Sequence, residues 1–371
     1  MATGSQRRRL TQKDIAQMTG VSQTTVSLVL NGRAEGDGEI RIAPETRERV
    51  LQAIRDSGYV ADPIARRLAA RDNRILGVFV YEPLFAAGSS DFYHPFLVGI
   101  EEEAEARGSD LLLLTSAPVI DGRRRIFHEG NRIRLADGCV LLGRSLDRDE
   151  LTRLVADGLP FVSVGRREDA GGPVPYVGAD YSNAVSALVD RAVQAGHTRL
   201  AYVGEGKGPE SYTDRMTGFR TAVAETGATG VHEPVAGRDL EAVLDSLLAQ
   251  HITAVFAEEH SDAVALMARA ASRGLVVPRD LSMLALGQPT RVRAESASPE
   301  VTFSGFNIPR RQMGRAAVEL LSALIEGTPA PIQQLLSCEL VDGTTLAPPP
   351  EQAPKQTPKQ TPKQTPTRKR R

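Results

Sequence analysis

The sequence has little cysteine, no tryptophan and no long apolar run. Its two cysteines, Cys139 and Cys338, match no paired spacing, so neither a disulfide framework nor a zinc site is expected. No apolar stretch approaches the roughly 20 residues of a membrane-spanning helix. The first residues also lack the apolar segment of a secretory signal. We therefore expect a cytoplasmic protein with no membrane partner, no metal and no other cofactor.

Arrangements that carry catalysis are missing as well. The sequence has no Gly-x-Ser-x-Gly motif, and its six histidines show no metal-ligand spacing. A glycine-rich segment at residues 204–208 lacks both the dinucleotide spacing and the Gly-Lys-Ser/Thr ending of a phosphate loop. An enzyme on a doubly wound α/β fold is one alternative, but we expect no catalytic residues.

What the sequence does contain is an uneven distribution of charge. Residues 1–74 carry 13 Lys and Arg against 9 Asp and Glu, and residues 351–371 carry 7 against 1. Because the whole chain has a net charge of -1, the residues between hold a net charge of -11. Phosphates are neutralised by Lys and Arg, so this pattern favours a polyanion bound at the basic ends.

A first short helix is predicted after residue 10. Thr11 and Asp14 have the spacing of a capping box, in which each side chain caps the backbone of the other. Gly20 is the residue type that most readily ends a helix in the left-handed conformation. The apolar positions of this helix are Ile15, Ala16 and Met18.

A second helix is predicted after Ser22, which is a good capping residue. Its buried face is formed by Val26, Val29 and Leu30, and Asn31 lies where it stops. Two short helices joined by a tight glycine turn form a helix-turn-helix, whose second helix lies in the major groove of DNA. The alternative is a helical hairpin with a solvated polar face. The residues predicted to face base edges are Gln23, Thr24, Ser27 and Leu28.

Two further helices are predicted before residue 74. One begins at Pro44 and runs to Gly58, with Val50, Leu51 and Ile54 closing the core. The other is short and basic and spans residues 62–70.

From residue 74 onward, apolar strand patterns alternate with helix patterns, which is typical of parallel sheets. The lengths fit two α/β lobes. Strands are predicted at residues 75–81, 111–115, 139–142, 161–164, 200–203, 253–256 and 281–286. Helices are predicted at residues 95–107, 122–136, 147–158, 182–195, 211–226, 239–250, 261–273 and 310–326, the last crossing back to the first lobe.

The order of several motifs resembles the lac repressor (LacI/GalR) family: Asp14-Ile15-Ala16, Gly20-Val21-Ser22, Thr25-Val26-Ser27, Leu30-Asn31, Gly58-Tyr59, Ala65-Arg66-x-Leu68, Gly178-Ala179-Asp180, Arg215-x-x-Gly218-Phe219 and Asp280-Leu281-Ser282. The resemblance implies an α/β protein with an all-helical helix-turn-helix headpiece and a two-lobed module like periplasmic binding proteins. We predict a DNA-binding domain at residues 1–61 and a hinge helix at 62–73. An effector-binding and dimerisation domain then spans 74–347, and a disordered basic tail spans 348–371.

For DNA binding, the resemblance implies that Leu68 of the hinge helix inserts into the minor groove, which requires a dimer. Packing within the linker is the alternative for Leu68. Leu28 stands where many family members have an arginine, and it could contact a thymine methyl group instead. The predicted DNA-binding residues are Thr11, Ser22, Gln23, Thr24, Ser27, Leu28, Asn31, Ala65, Arg66 and Leu68.

For effector binding, the ends of parallel strands place the ligand at the loops after Tyr81, Thr115, Val203, Phe256 and Leu286. The resemblance implies that Arg215 is a polar anchor and that Phe92 and Tyr93 line the cleft, although core packing is an alternative for both rings. Relatives usually have Asn-Asp near residue 256 and an acidic pair near 288, whereas this chain has Glu259-His260 and Gly287-Gln288. A carbohydrate effector ranks first and an acidic metabolite second, with Phe92, Tyr93, Arg215, Glu259 and Gln288 as the predicted effector-binding residues.

The predicted function is a homodimeric repressor whose operator affinity responds to a small molecule. Whether the molecule acts as an inducer or as a corepressor stays open at this point. A solute-binding protein without regulatory DNA binding is the main alternative. The Pro-rich tail repeats Lys-Gln-Thr-Pro three times, and either adds nonspecific DNA affinity or is a solvated extension.

Overall fold

A computed structural model describes residues 10–30, 42–57, 73–84, 90–120, 122–130, 132–287 and 301–350. The chain divides into two compact units, Met1–Arg74 and Ile75–Arg371. Several predicted residues lie outside the described ranges: Asn31, Ala65, Arg66, Leu68 and Gln288, together with the rest of the hinge helix and residues 351–371.

Three helices build the described part of the first unit: α1 (Gln12–Thr19), α2 (Gln23–Leu30) and α3 (Pro44–Ser57). Their core is formed by Ile15, Ala16, Val26, Val29 and Val50, with Leu30, Leu51 and Ile54 packed against it. Met18, the third apolar position of α1, lies outside this core, and its side chain is 59% exposed. At 3.6 residues per turn, Met18 lies roughly 110° from the centre of the face shared by Ile15, Ala16 and Thr19.

The predicted caps are confirmed. The backbone N–H of Asp14 donates to Oγ1 of Thr11 at 3.3 Å, and the N–H of Thr11 donates to Oδ2 of Asp14 at 2.7 Å. Gly20 ends α1 with a φ of 66°, in the left-handed region that glycine enters without steric cost. Ser22 accepts the N–H of Thr25 at 3.0 Å. These side chains satisfy the backbone donors that a helix N-terminus leaves unpaired.

The first lobe of the second unit is a six-stranded parallel sheet in the order β13-β7-β6-β5-β1-β2. Its strands are β1 (Ile75–Val80), β2 (Asp110–Leu114), β5 (Gly138–Leu142), β6 (Phe161–Val164), β7 (Tyr176–Ala179) and β13 (Gln333–Leu336). Helices α4 (Ser90–Ala106) and α5 (Arg148–Asp157) belong to this lobe, as does a small hairpin of β3 (Val119–Ile120) and β4 (Arg123–Arg124).

The second lobe has six strands in the order β14-β12-β11-β10-β8-β9. They are β8 (Arg199–Val203), β9 (Thr229–Glu233), β10 (Ala254–Ala257), β11 (Ser282–Ala285), β12 (Ser304–Asn307) and β14 (Glu339–Val341), all parallel except for the β12–β14 pair. Its helices are α6 (Tyr181–Gln194), α7 (Glu210–Thr226), α8 (Leu240–Ala249) and α9 (His260–Ser272). Central strands such as β5 and β10 are wholly buried, as parallel strands covered on both faces are.

Helix α10 (Arg310–Glu326) returns to the first lobe, as predicted, where it packs against α4. The packing partner itself was not predicted. The two backbones approach so closely that a Cβ at Gly314 would lie 2.3 Å from the carbonyl oxygen of Phe96. The chain thus passes between the lobes before α6, before α10 and between β13 and β14.

The prediction of a helix at residues 122–136 is wrong. The segment instead contains β4 and a single 3₁₀ turn, Ile133–Leu135. Three of its apolar side chains are buried, those of Ile126, Ile133 and Ala136, and Gly122 and Gly130 each cost about 1 kcal/mol relative to Ala in a helix. The buried carboxylate of Glu150 accepts the N–H of Ile126 at 3.1 Å. This side chain therefore supplies the acceptor that a helix would have supplied to that N–H group.

Candidate functional site

Strands of both lobes end at one cleft, whose non-atom space, including space open to solvent, is about 1130 Å³. Residues directly after β5, β6, β10 and β11 line it, as do the first residues of α6 and α10. A crevice at the carboxyl ends of parallel strands is where ligands bind in open α/β sheets. Of the predicted loops, those after Val203, Phe256 and Leu286 contribute lining residues, whereas the described residues directly after Tyr81 and Thr115 do not. The loops after β5 and β6 line the cleft without having been predicted.

Four of the five predicted effector residues line this cleft: Phe92, Tyr93, Arg215 and Glu259. The side chain of Phe92 is half-buried, whereas Tyr93 is only 2% exposed and its hydroxyl donates to the carboxylate of Glu82. Phe92 therefore presents the larger ring surface to a ligand. The roles of these residues in effector binding remain predictions.

Arg215 is buried at the base of the cleft and is fixed by backbone carbonyls. Its Nε donates to the carbonyl oxygen of Leu286 at 2.7 Å, and its Nη1 donates to that of Ser211 at 2.9 Å. The guanidinium carbon lies 3.8 Å from the ring centroid of Tyr181. Within the described ranges, no carboxylate forms an ion pair with Arg215. Helix α7 therefore holds a cation whose hydrogen-bond acceptors, among the described residues, are backbone carbonyl oxygens.

Two ion pairs connect the lobes beside this arginine. Arg166, after β6, donates from Nε to both carboxylate oxygens of Asp214 on α7 at 2.8 and 3.0 Å, and from Nη2 at 2.7 Å. These hydrogen bonds raise the pKa of Arg166. Arg167 is buried, donates to Glu210 of α7 at 3.1 Å, and donates to the carbonyl oxygen of Gly143 at 2.6 Å. Sequence reasoning missed both arginines, although a charged pair directly after a buried strand was a usable signal.

Two adjacent glutamates after β10 have different roles. Glu258 is buried, accepts the hydroxyl of Tyr202 at 2.5 Å and accepts the N–H of Glu205 at 2.7 Å. Burial raises its pKa, although these hydrogen bonds act in the opposite direction. The glycine-rich segment at 204–208 therefore positions an internal carboxylate with its backbone N–H groups. Glu259 is half-exposed, accepts the hydroxyl of Tyr212 at 2.5 Å and lies 3.7 Å from Arg144.

Two further arginines lie against Phe92. The guanidinium carbon of Arg144 is 4.7 Å from its ring centroid, and that of Arg310 is 5.1 Å away. Arg310 is 8% exposed and opens α10, where the chain enters the first lobe. Nothing in the local sequence marks Arg310 as a cleft residue, because its position follows from the path of the chain between the lobes.

The predicted DNA-reading residues lie on α2 away from the headpiece core. Gln23 and Thr24 are exposed at its N-terminus, and Ser27 and Leu28 are partly exposed farther along. Thr11 and Ser22 are exposed at the starts of α1 and α2. The contacts of each residue with DNA remain predictions.

Across the described ranges, none of the helices has the length and apolar character to cross a membrane. The same part of the chain holds no group of three His, Cys, Asp or Glu side chains placed to bind a metal ion.

Comparison with known proteins matches both units. Residues 11–62 match the family of bacterial regulatory proteins of the lacI type, and residues 189–346 match the periplasmic binding protein-like domain. The HTH-type transcriptional regulator CelR of Thermobifida fusca is 30% identical over 352 residues, which cover 90% of this chain and 98% of that protein. The HTH-type transcriptional repressor PurR of Vibrio campbellii is 27% identical over 331 residues, which cover 84% of this chain and 90% of the relative.

Solved structures agree with this assignment. A CelR–cellobiose complex superposes with a TM-score of 0.58 at 28% identity and covers 91% of this chain and all of that one. The lac repressor dimer bound to operator and the anti-inducer ONPF has a TM-score of 0.65 at 19% identity, covers 92% of this chain and all of its own, and thereby supports the fold. The headpiece, the two-lobed module and the identity to CelR together establish that this chain belongs to the LacI family and is a DNA-binding transcriptional regulator with an effector-binding domain.

Proposed function

We propose that this protein is a homodimeric, cytoplasmic repressor, without enzymatic activity, whose operator affinity changes when a carbohydrate fills the cleft. The observation that carries the proposal is the cleft itself, where carbonyl oxygens of the second lobe fix Arg215 beside the Arg166–Asp214 ion pair that joins the lobes. We assign DNA binding to residues 1–61, the hinge to 62–73, effector binding and dimerisation to 74–347, and a basic tail to 348–371.

The proposed surface for contact with DNA bases is the exposed face of α2. Gln23 and Thr24 would contact base edges, because the N-terminal residues of a recognition helix lie deepest in the major groove. Thr11, Ser22, Ser27, Leu28 and Asn31 would complete the headpiece contacts, and Ala65, Arg66 and Leu68 would act in the minor groove. A dimer would then read two half-sites with a fixed spacing.

A carbohydrate is supported by the chemistry of the cleft. Phe92 offers a flat apolar ring, and Arg215, Glu259 and Gln288 offer donors and acceptors for hydroxyl groups. The solved complex of the relative CelR contains cellobiose. A ligand of that size would contact both lobes at once.

The proposed mechanism is a shift in the relative position of the lobes. A ligand that contacts both lobes stabilises one arrangement, and the dimer then presents its two headpieces differently to DNA. The ligand must bind one arrangement more tightly than the other, since a ligand with equal affinity for both changes nothing. The sign of the effect distinguishes an inducer from a corepressor.

The proposal is tested by selecting bound fragments from a random DNA pool with the full-length protein. We expect a palindromic site, and affinity for that site should change with at least one neutral or acidic sugar. A Q23A/T24A variant serves as the matched control and should enrich no site. If the unsubstituted protein enriches nothing at moderate salt but binds a sugar, the solute-binding alternative replaces the repressor.

A further inference from the structure

Two consecutive arginines of the first lobe pair with two acids of the second lobe. Arg166 pairs with Asp214, and Arg167 pairs with Glu210. The two acids are four residues apart on α7, and side chains at that spacing lie on one face of a helix. A single loop of the first lobe therefore holds α7 at two points about 6 Å apart along its axis. One contact would let the helix pivot, whereas two contacts also fix its direction.

Arg167 connects the lobes from a buried position. Its side chain is 3% exposed, and it donates to Glu210 at 3.1 Å and to the carbonyl oxygen of Gly143 at 2.6 Å. Burial lowers the pKa of Arg167, the charge of Glu210 opposes that shift, and Tyr81 and Glu82 oppose it more weakly. Separation of the lobes would remove the carboxylate that is hydrogen-bonded to Arg167. Because a buried charge is costly without its partner, this pair favours the arrangement in which the lobes are together.

Burial distinguishes these two pairs from a neighbouring contact between the lobes. Arg144 of the first lobe lies 3.7 Å from Glu259 of the second, and the two side chains are 48% and 43% exposed. Exposed ion pairs contribute little to stability. The side chains of the Arg166–Asp214 pair are 24% and 17% exposed, so this pair is better shielded from water. Arg166 and Arg167 are therefore the residues expected to hold the lobes together here.

The helix held in this way also carries the predicted ligand anchor. Glu210 is the first residue of α7, and the carbonyl oxygen of the next residue, Ser211, accepts Nη1 of Arg215 at 2.9 Å. Asp214 directly precedes Arg215 in the chain. A displacement of α7 relative to the first lobe would therefore break the two ion pairs and move the anchor at the same time.

We propose that Arg166 and Arg167 form a clamp on α7 that fixes the separation of the lobes and thereby sets operator affinity before any sugar binds. The inference rests on the proposed function and assigns part of its regulation to four side chains, those of Arg166, Arg167, Glu210 and Asp214. They are positioning residues, since they act through α7 and not by contact with DNA. Loss of the clamp shifts the population between lobe arrangements, and operator affinity changes with that population.

The test measures operator binding by the full-length protein without sugar, using fluorescence anisotropy and the DNA site selected above. E210Q/D214N removes both acids of the clamp and should change operator affinity by at least about five-fold, the lower end of typical coupling between sites. The sign of the change tells whether the clamped arrangement is the one that binds operator. All titrations use the same salt concentration, because DNA affinity depends strongly on salt.

The matched control is D190N/E225Q, which removes the same charge from exposed positions of α6 and α7. Its operator affinity should stay within about two-fold of that of the unsubstituted protein, since surface substitutions rarely change the structure. A shift as large as that of E210Q/D214N would mean that net charge, and not the clamp, affects DNA binding. That result would overturn the inference.

Single variants separate a clamp from a general loss of stability. Breaking either contact frees α7 to pivot, so E210Q and D214N should each come close to the effect of the double variant, and their effects should not add. R166K keeps the charge but loses the two-pronged geometry, so it should change operator affinity less than R166Q does. Thermal midpoints and stoichiometric titrations identify the temperature at which every variant is folded and active. If the double variant does not fold, E210Q alone carries the test, because its amide oxygen can still accept a hydrogen bond from Arg167.

The inference fails if folded E210Q/D214N, or E210Q in its place, binds the operator within about two-fold of the unsubstituted protein. The two ion pairs would then stabilise the fold without regulating it, and the carbohydrate-responsive repressor would stand. If the unsubstituted protein itself binds no selected site, the proposed function is rejected, and the clamp has no operator affinity to set.

Discussion

Arg166 and Asp214 form a two-pronged ion pair that joins the end of β6 in the first lobe to α7 in the second. The side chains are 24% and 17% exposed, so the pair is largely shielded from water. One helical position later, Arg215 occupies the base of the cleft. Helix α7 therefore carries the contact that holds the lobes together and the predicted ligand anchor on adjacent residues.

Removing one partner of that ion pair should destabilise the protein. D214N leaves Arg166 partly buried without its counter-ion, and we expect a loss of about 1–3 kcal/mol in the free energy of unfolding. The double variant R166Q/D214N should be less destabilised than the sum of the single variants. Urea unfolding of all four proteins measures this coupling. Strictly additive losses would show that the pair does not bind the lobes together.

Close packing of α4 on α10 predicts that Gly314 tolerates no side chain. G314A would place a Cβ 2.3 Å from the carbonyl oxygen of Phe96, so the helices must separate. We expect a loss of about 1–3 kcal/mol, as in other overpacked interiors. E319A, at an exposed position of the same helix, is the control and should change stability by less than about 0.5 kcal/mol. Equal thermal midpoints for the two variants would contradict the packing described.

Much of the fold could be predicted because its signals are local. The caps at Thr11 and Ser22, the buried face of α2 and the alternation of strands and helices all depend on residues within one element. Strand β9 was not predicted because Val231 is its one large apolar residue, and β13 and β14 were not predicted because they alternate weakly at sheet edges.

Fewer residues of the cleft than of the fold could be predicted from the sequence. Arg215 and Phe92 were found through the family resemblance, whereas Arg166, Arg167 and Arg310 were missed. Arg310 belongs to the site because separate parts of the chain meet there, and no periodicity within α10 encodes that meeting. Arg166 and Arg167 follow β6, and the end of that strand was not predicted to lie at the cleft. The incorrect prediction of a helix at 122–136 has a similar cause, since Glu150, which is distant in the sequence, accepts a backbone N–H of this segment.

Acid should destabilise the second lobe through His197. This side chain is 1% exposed, and its two ring nitrogens contact Oγ1 of Thr253 at 2.9 Å and the carbonyl oxygen of Ala347 at 2.8 Å. Burial lowers its pKa below the ordinary value of 6.5. The unfolded chain therefore binds a proton first, so stability from this group is complete above pH 6.5 and falls as the pH drops toward the lowered pKa.

The measurement is the free energy of unfolding between pH 8 and pH 5. H197Q should have a shallower dependence on pH than the unsubstituted protein, even if it is less stable throughout. H94Q, at an exposed histidine, should keep the full dependence. Identical pH profiles for H197Q and the unsubstituted protein would rule His197 out as the titrating group.

DNA recognition should depend on Gln23 and Thr24. Each specific base contact contributes about 1–3 kcal/mol, so Q23A or T24A should weaken operator binding by about 5- to 150-fold. Because both side chains are exposed, the thermal midpoint should not change. Q52A, at an exposed position of α3, is the control for a general loss of headpiece function. Operator titration by fluorescence anisotropy would disprove the assignment if Q52A were as defective as Q23A.

The central claim is that DNA and effector bind one coupled protein. Its most direct test is operator affinity measured with and without saturating sugar, together with sugar affinity measured with and without operator. Thermodynamic linkage requires the two ratios to be equal, and we expect a change of about 5- to 150-fold in each. A sugar that binds tightly in the cleft and leaves operator affinity unchanged would contradict the account.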